Sequence, residues 1–121
     1  MSAAIHDITI EQGATFTRQI TMRQSNGSPM DLTGYIGRAM VRKTYGATAP
    51  SATFTVDFDA DRTTGIITLT LSADETAAIP AGESVDETDS QYVWDFELED
   101  VSGVVMRVLK GACYVDPEAT R

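Results

Sequence analysis

An all-β sandwich is the fold this sequence predicts, and three observations predict it. Apolar side chains recur at every second position, those runs are enriched in Thr, Val, Ile and aromatic residues, and Gly, Asn and Asp turns punctuate them. The 121 residues suit one domain, 1–121, long enough to bury a core and too short for two. The expectation is a single antiparallel β-sandwich, immunoglobulin-like or related, of about seven to eight strands with one short helix near 73–79.

Taken in order, Ile5 to Ile10 reads as a short first strand closed by Glu11-Gln12-Gly13. Ala14 to Arg23 follows with Phe16, Ile20 and Met22 on one face, interrupted by Arg18, which should lie near an edge or pair with an acid. Ser25-Asn26-Gly27-Ser28-Pro29 is a turn, because Asn-Gly takes positive φ and Pro29 cannot donate to a ladder. From Tyr35 to Thr44, Tyr35, Ala39 and Val41 alternate with Ile36, Arg38, Met40 and Arg42, and Tyr45 to Pro50 is a loop. Ala52, Phe54, Val56 and Phe58 form one apolar stripe that pairs as a hairpin with Ile66 to Leu71, turning Ile67, Leu69 and Leu71 inward. Ser72-Ala73-Asp74-Glu75 matches a capping box, so a short helix should run to about Ile79 and stop at Pro80.

Ala81 to Ser90 is acidic and reads as an exposed connection of low order. Tyr92, Trp94, Phe96 and Leu98 then make the strongest core stripe in the chain, the mark of a central strand. Ser102-Gly103 turns into Val104 to Lys110, Gly111 marks a bulge or kink, and Ala112 to Val115 is the last strand before Asp116-Pro117.

Composition narrows function. Eighteen acidic against nine basic residues leave a formal net charge of -9, which disfavours nucleic acid and anionic lipid as partners. The opening MSAAIHDITI lacks a basic n-region and a long apolar h-region, so no membrane or secretory route is expected. One cysteine, Cys113, rules out an internal disulfide and a thiolate metal site within the chain, and its apolar neighbours suggest burial. His6 stands alone, so no two-histidine site can form. Asp57-x-Asp59-x-Asp61 has the opening spacing of a calcium loop, but Arg62 occupies the turn-glycine position and Thr68 the place of the closing acid. No catalytic constellation, cofactor or metal site is expected, and the chain reads as a non-enzyme.

The ordered segments Pro29 to Tyr35, Met40 to Lys43, Gly65 to Thr76 and Tyr92 to Leu98, with the terminal Asp116 to Arg121, resemble small β-sandwich structural proteins of tailed bacteriophages, including the N-terminal domain of baseplate upper proteins. The resemblance implies a virion protein made in the host cytoplasm, without enzymatic activity, that packs as a ring or trimer in the tail, baseplate or adaptor region. A capsid or neck decoration protein is the alternative within that class. From outside it, a carbohydrate-binding sandwich for host recognition is the alternative, and it would require aromatics on the wet face of a sheet.

Assembly makes two features worth following. Sheet edges can be completed by another chain, with Ile5 to Ile10 and Ala112 to Val115 as candidates. Charge is segregated: Glu83, Asp86, Glu87 and Asp89 crowd one connection, while Arg18, Arg38, Arg42, Lys43 and Arg107 are the candidate cations that would meet the acidic side of a neighbouring copy.

Overall fold

The Tyr92–Leu98 stripe becomes the middle of the molecule. In a computed structural model describing residues 3–121, Trp94, Phe96 and Leu98 are 1%, 0% and 0% exposed, and the strand carrying them has a partner on each side.

Among the described residues nine strands form two sheets: β1 (Ala4–Ile5), β2 (Ile8–Glu11), β3 (Phe16–Thr21), β4 (Ile36–Arg42), β5 (Ala52–Thr53), β6 (Thr55–Phe58), β7 (Ile66–Leu71), β8 (Gln91–Glu99) and β9 (Val105–Asp116). The larger sheet runs β1-β9-β8-β4-β5 with β2 also on β9, and the smaller runs β3-β7-β6. The short helix α1 (Ala73–Ala77) follows β7. This is the expected sandwich, largely rather than wholly antiparallel, because β1 and β2 pair with β9 in parallel.

The strand count rises because two expected strands are divided, while the last two are one. Ile5 to Ile10 breaks at His6-Asp7, where the Asp7 carboxylate accepts the Ala112 N–H at 2.9 Å in place of a backbone carbonyl. Both halves keep one register on β9, with Ile5 opposite Lys110 and Ile8 opposite Cys113. Ala52 to Phe58 breaks at Phe54 and changes sheet: β5 pairs with β4, β6 pairs with β7. Buried Phe54 is the pivot, its ring 5.8 Å from Phe16 and 6.0 Å from Trp94, so one aromatic row ties the two layers together.

The expected β6–β7 hairpin is present, and Ile67, Leu69 and Leu71 are buried. Its turn needs Gly65, at φ 71°, because a Cβ there would stand 2.4 Å from the Met22 carbonyl oxygen. Ser72 caps α1 as expected: its hydroxyl accepts the Glu75 N–H at 3.1 Å and Glu75 Oε1 accepts the Ser72 N–H at 2.8 Å. Thr76, fully buried, fastens the helix to the β2–β3 turn by accepting the Gly13 N–H at 3.0 Å and donating to Ala14 O at 2.8 Å.

Three expectations are corrected. Gly111 is neither bulge nor kink: β9 passes through it unbroken, and the register shift lies opposite Phe96 and Glu97, which pair with Leu109 and Arg107 and leave Val108 as the extra residue. Gly111 is required instead by a crossing chain, since a Cβ would fall 2.5 Å from His6 O. Ala112 to Val115 is not an open edge, because β8 flanks it on one side and β2 on the other. The Ala81–Ser90 connection is folded on itself: Ser90, fully buried, accepts the Gly82 N–H at 2.9 Å and donates to Ser84 O at 2.7 Å, and Glu87 Oε2 accepts the Glu83 N–H at 2.9 Å.

Candidate functional site

Alternation along β4, β8 and β9 sends one set of side chains into the core and the other onto the outer face of the larger sheet. The register lines up that outer set in rows. Ile36, Glu99 and Val105 form one row; Arg38, Glu97 and Arg107 the next; Met40, Asp95 and Lys110 the third. Opposite charges thus stand directly across from one another.

The ion pairs follow from that register. Arg38 Nη1 reaches Glu99 Oε1 at 3.1 Å and its Nε lies 3.6 Å from Glu97 Oε1, while Arg107 Nε lies 3.6 Å from Asp95 Oδ2. Burial pushes the Asp95 carboxyl pKa above its ordinary value even with Arg107 and Arg42 pulling it down. Arg42 Nη1 donates to Ala47 O at 2.9 Å, which holds the Tyr45 loop beside the face. Between them lies a depression of about 300 Å³ whose lining includes Arg38, Met40, Arg42, Tyr45, Asp95 and Arg107.

Among the expected assembly residues, Arg38, Arg42 and Arg107 are brought together on this face. Lys43 is beyond its end: Nζ donates to Thr88 O at 2.7 Å and Gln91 O at 2.9 Å and sits 4.5 Å from the Tyr92 ring centre, pinning the acidic connection to β4. Arg18 is on the other sheet, donating to His6 Nε2 at 2.7 Å and packing over Phe16, not over an acid. Glu83, Asp86, Glu87 and Asp89 are all exposed on the connection before β8. The carboxylates of Glu83, Asp86 and Asp89 make no hydrogen bond or ion pair among the described residues.

The calcium-like spacing builds a turn. Asp61 Oδ1 accepts the Thr63 N–H at 3.0 Å and Asp59 Oδ2 accepts the Thr64 hydroxyl at 2.8 Å. The Thr63 hydroxyl and amide hold the Asp61 carboxyl below its ordinary pKa. Asp31 repeats the motif with Thr33, and Arg62 bridges the two turns by donating to Leu32 O at 3.1 Å and Tyr35 O at 3.0 Å. No group of three or more His, Cys, Asp or Glu placed to hold a metal occurs among the described residues.

Cys113 is fully buried on β9, and burial pushes its thiol pKa up to about 12. Thiolate is the reactive form, so a disulfide-exchange reagent at neutral pH should leave the native chain unlabelled while labelling the denatured chain completely. Rapid native labelling would mean that β9 opens. Since the folded pKa is raised, the stabilisation is complete below the unfolded value near 9 and is lost as pH climbs from there towards 12.

Met40, Tyr45, Val93, Asp95 and Glu97 are the exposed-side members of this face that sequence reasoning does not select as site residues. Tyr45 falls outside the alternation, in a loop, and is 55% exposed. Its one sequence signal is an aromatic residue in a Gly-, Ala- and Thr-rich loop that has no core to join.

The chain matches no protein-family model and no curated protein. Among solved structures it is similar in fold to a mutant of the SrpA adhesin from Streptococcus sanguinis, with a TM-score of 0.55 and 10% identity, covering 92% of this chain and 55% of that one. This chain therefore spans about half the length of the adhesin structure. At that identity the likeness is one of architecture: a β-sandwich carrying one short helix.

Proposed function

We propose that this chain is a non-enzymatic structural protein of a tailed-bacteriophage virion, in the tail, baseplate or adaptor region, that acts by packing against copies of itself and other virion proteins. A decoration protein of capsid or neck would use the same packing at another place. The observation that carries the reading is an uncovered aliphatic end of the larger sheet. Ile36 and Val105 flank Glu99 there, and Val101 and Val104 lie in the β8–β9 turn, all four strongly exposed. Gathered aliphatic surface of this kind marks a place where another chain packs. The exposed acids Glu83, Asp86 and Asp89 at the opposite end of β8 add charge that a basic neighbour would meet.

Sedimentation tests the packing. The chain is expected to run as a ring- or trimer-sized species at high concentration, and the double substitution Val101→Ser with Val104→Ser should return it to a folded monomer. A native chain that stays monomeric at every concentration counts against self-packing. Antibody-gold microscopy on phage particles encoding the chain tests the location: gold at the tail end supports the tail or baseplate, gold over head or neck the decoration role, and its absence from dissociated particles removes the virion reading.

A second reading, a sandwich that recognises carbohydrate on a host surface, is favoured by one specific observation. Tyr45, in the loop after β4, brings an exposed aromatic residue to the edge of the wet face of the larger sheet, beside paired arginines and carboxylates. The likeness in fold to an adhesin supports the same direction.

A further inference from the structure

We infer that the depression on the outer face of the larger sheet is a binding site for a neutral pyranose sugar, with Tyr45 as its stacking platform and Arg107, Asp95 and Glu97 as its hydrogen-bonding groups. This assignment rests on the carbohydrate reading above and gives that reading a place and a ligand chemistry.

Three features carry it. The first is unspent hydrogen-bonding capacity. The side chains of Arg107, Asp95 and Glu97 make no hydrogen bond among the described residues, their ion-pair contacts standing at 3.6 Å, beyond good N–H···O geometry. Donor and acceptor groups thus share one concavity with their polar atoms available. Vicinal sugar hydroxyls, each able to donate and accept, match such an alternation of guanidinium and carboxylate. The partners are also held in place: Arg38 is fixed by Glu99, and Arg42 by the Ala47 carbonyl.

The second feature is the aromatic ring. The C–H face of a pyranose is apolar and packs on an aromatic face, and Tyr45 is the large aromatic exposed here, with Met40 and Val93 as apolar floor. The third is charge. Arg38, Arg42 and Arg107 line the depression with Asp95 and Glu97, and Glu99, just outside the lining, pairs with Arg38, so most of the positive charge is already met within the face, which favours a polar neutral ligand over a phosphate or a carboxylated sugar. The space, about 300 Å³, is at the small end of ligand sites, roughly 300–1,000 Å³, and suits one or two sugar rings.

The test is a nuclear magnetic resonance titration of the full chain with methyl glycosides of glucose, galactose and mannose, N-acetylglucosamine, and glucuronate. The expected result is that a neutral sugar shifts the amides of Met40, Arg42, Tyr45, Val93, Asp95 and Arg107. Tyr45→Ala should weaken that binding about tenfold, which is ~1.4 kcal/mol, and Tyr45→Phe should restore it. Tyr45 is exposed, so both variants keep the native spectrum elsewhere. Shifts mapping to another surface, or shifts indifferent to Tyr45→Ala, overturn this site while leaving carbohydrate recognition standing. Shifts from glucuronate alone overturn the neutral ligand. No shift from any member of the panel overturns both the site and the carbohydrate reading.

Discussion

Trp94→Ala is expected to cost about 4 kcal/mol of folding free energy, near the middle of the range for deleting a large buried aromatic. Three losses combine. The indole is 1% exposed and packs edge-on to Phe54 at 6.0 Å and to His6 at 6.3 Å. Removing it opens a cavity in the row that joins the two sheets, which the surrounding β-structure can only partly collapse into. Its Nε1–H donates to His6 O at 2.8 Å, so the bend between β1 and β2 also loses its anchor to the core. Against a total stability of roughly 5–15 kcal/mol for a domain of ordinary size, the loss should lower the melting temperature by roughly 15 °C. Trp94 is the sole tryptophan, so thermal unfolding has to be followed by circular dichroism. Trp94→Phe should recover part of the loss, because it refills most of the volume without the N–H. A drop of only a few degrees in the alanine variant would show that the aromatic row does not hold the layers together.

Gly111→Ala should cost about 3 kcal/mol, the upper end of the usual cost of overpacking. The added Cβ would fall 2.5 Å from His6 O, 2.8 Å from His6 C and 2.7 Å from Asp7 Oδ1, and two of those atoms are backbone that no rotamer change can move. Relief requires β1 and β2 to lift away from β9, which exposes Ile8 and Ile10, otherwise 3% and 0% exposed. The signature is therefore local. Hydrogen exchange should accelerate at Ile8 to Glu11 while the amides of Ile66 to Leu71 in the smaller sheet keep their protection. Uniform loss of protection across both sheets would mean that the edge strand is inseparable from the global fold. Unchanged exchange at Ile8 to Glu11 would mean that the crossing of His6 over Gly111 is looser than its distances imply.

Much of this architecture is local and therefore legible. The capping box at Ser72 and Glu75 is written within four consecutive residues, and the β6–β7 hairpin lies within one short stretch of chain. The Tyr92–Leu98 stripe declares a buried face by parity alone. What escaped the sequence lies where parity is silent about partners. Ala52, Phe54, Val56 and Phe58 keep strict alternation straight through the residue at which the chain leaves one sheet for the other, so nothing in the pattern records the break. Gly111 read as a bulge or kink, because the chain that crosses it, His6 with Asp7, is about a hundred residues away in sequence. The acidic connection read as loose because its carboxylates dominate its composition. Its order comes from Ser90 and Glu87 binding backbone a few residues away, and from Lys43 reaching across from just past the end of β4.

The candidate site divides in the same way. Arg38, Arg42 and Arg107 were visible as outward positions of strands, because a period of two assigns a face to each residue. That Arg38 would stand across from Glu97, that a one-residue shift at Val108 would bring Arg107 to the other side of Glu97, and that Tyr45 would close the group from a loop are facts of register. By itself, then, the sequence determined the β-sandwich class, the helix cap, the hairpin and the Ile67–Leu71 and Tyr92–Leu98 stripes of the core, since each depends on alternation or on neighbours within a few residues. Tertiary structure alone decided the sheet change at Phe54, the parallel edge on β9, and the meeting of arginine, carboxylate and tyrosine on one face. Those depend on which strands lie side by side, a choice set by the packing of the whole core.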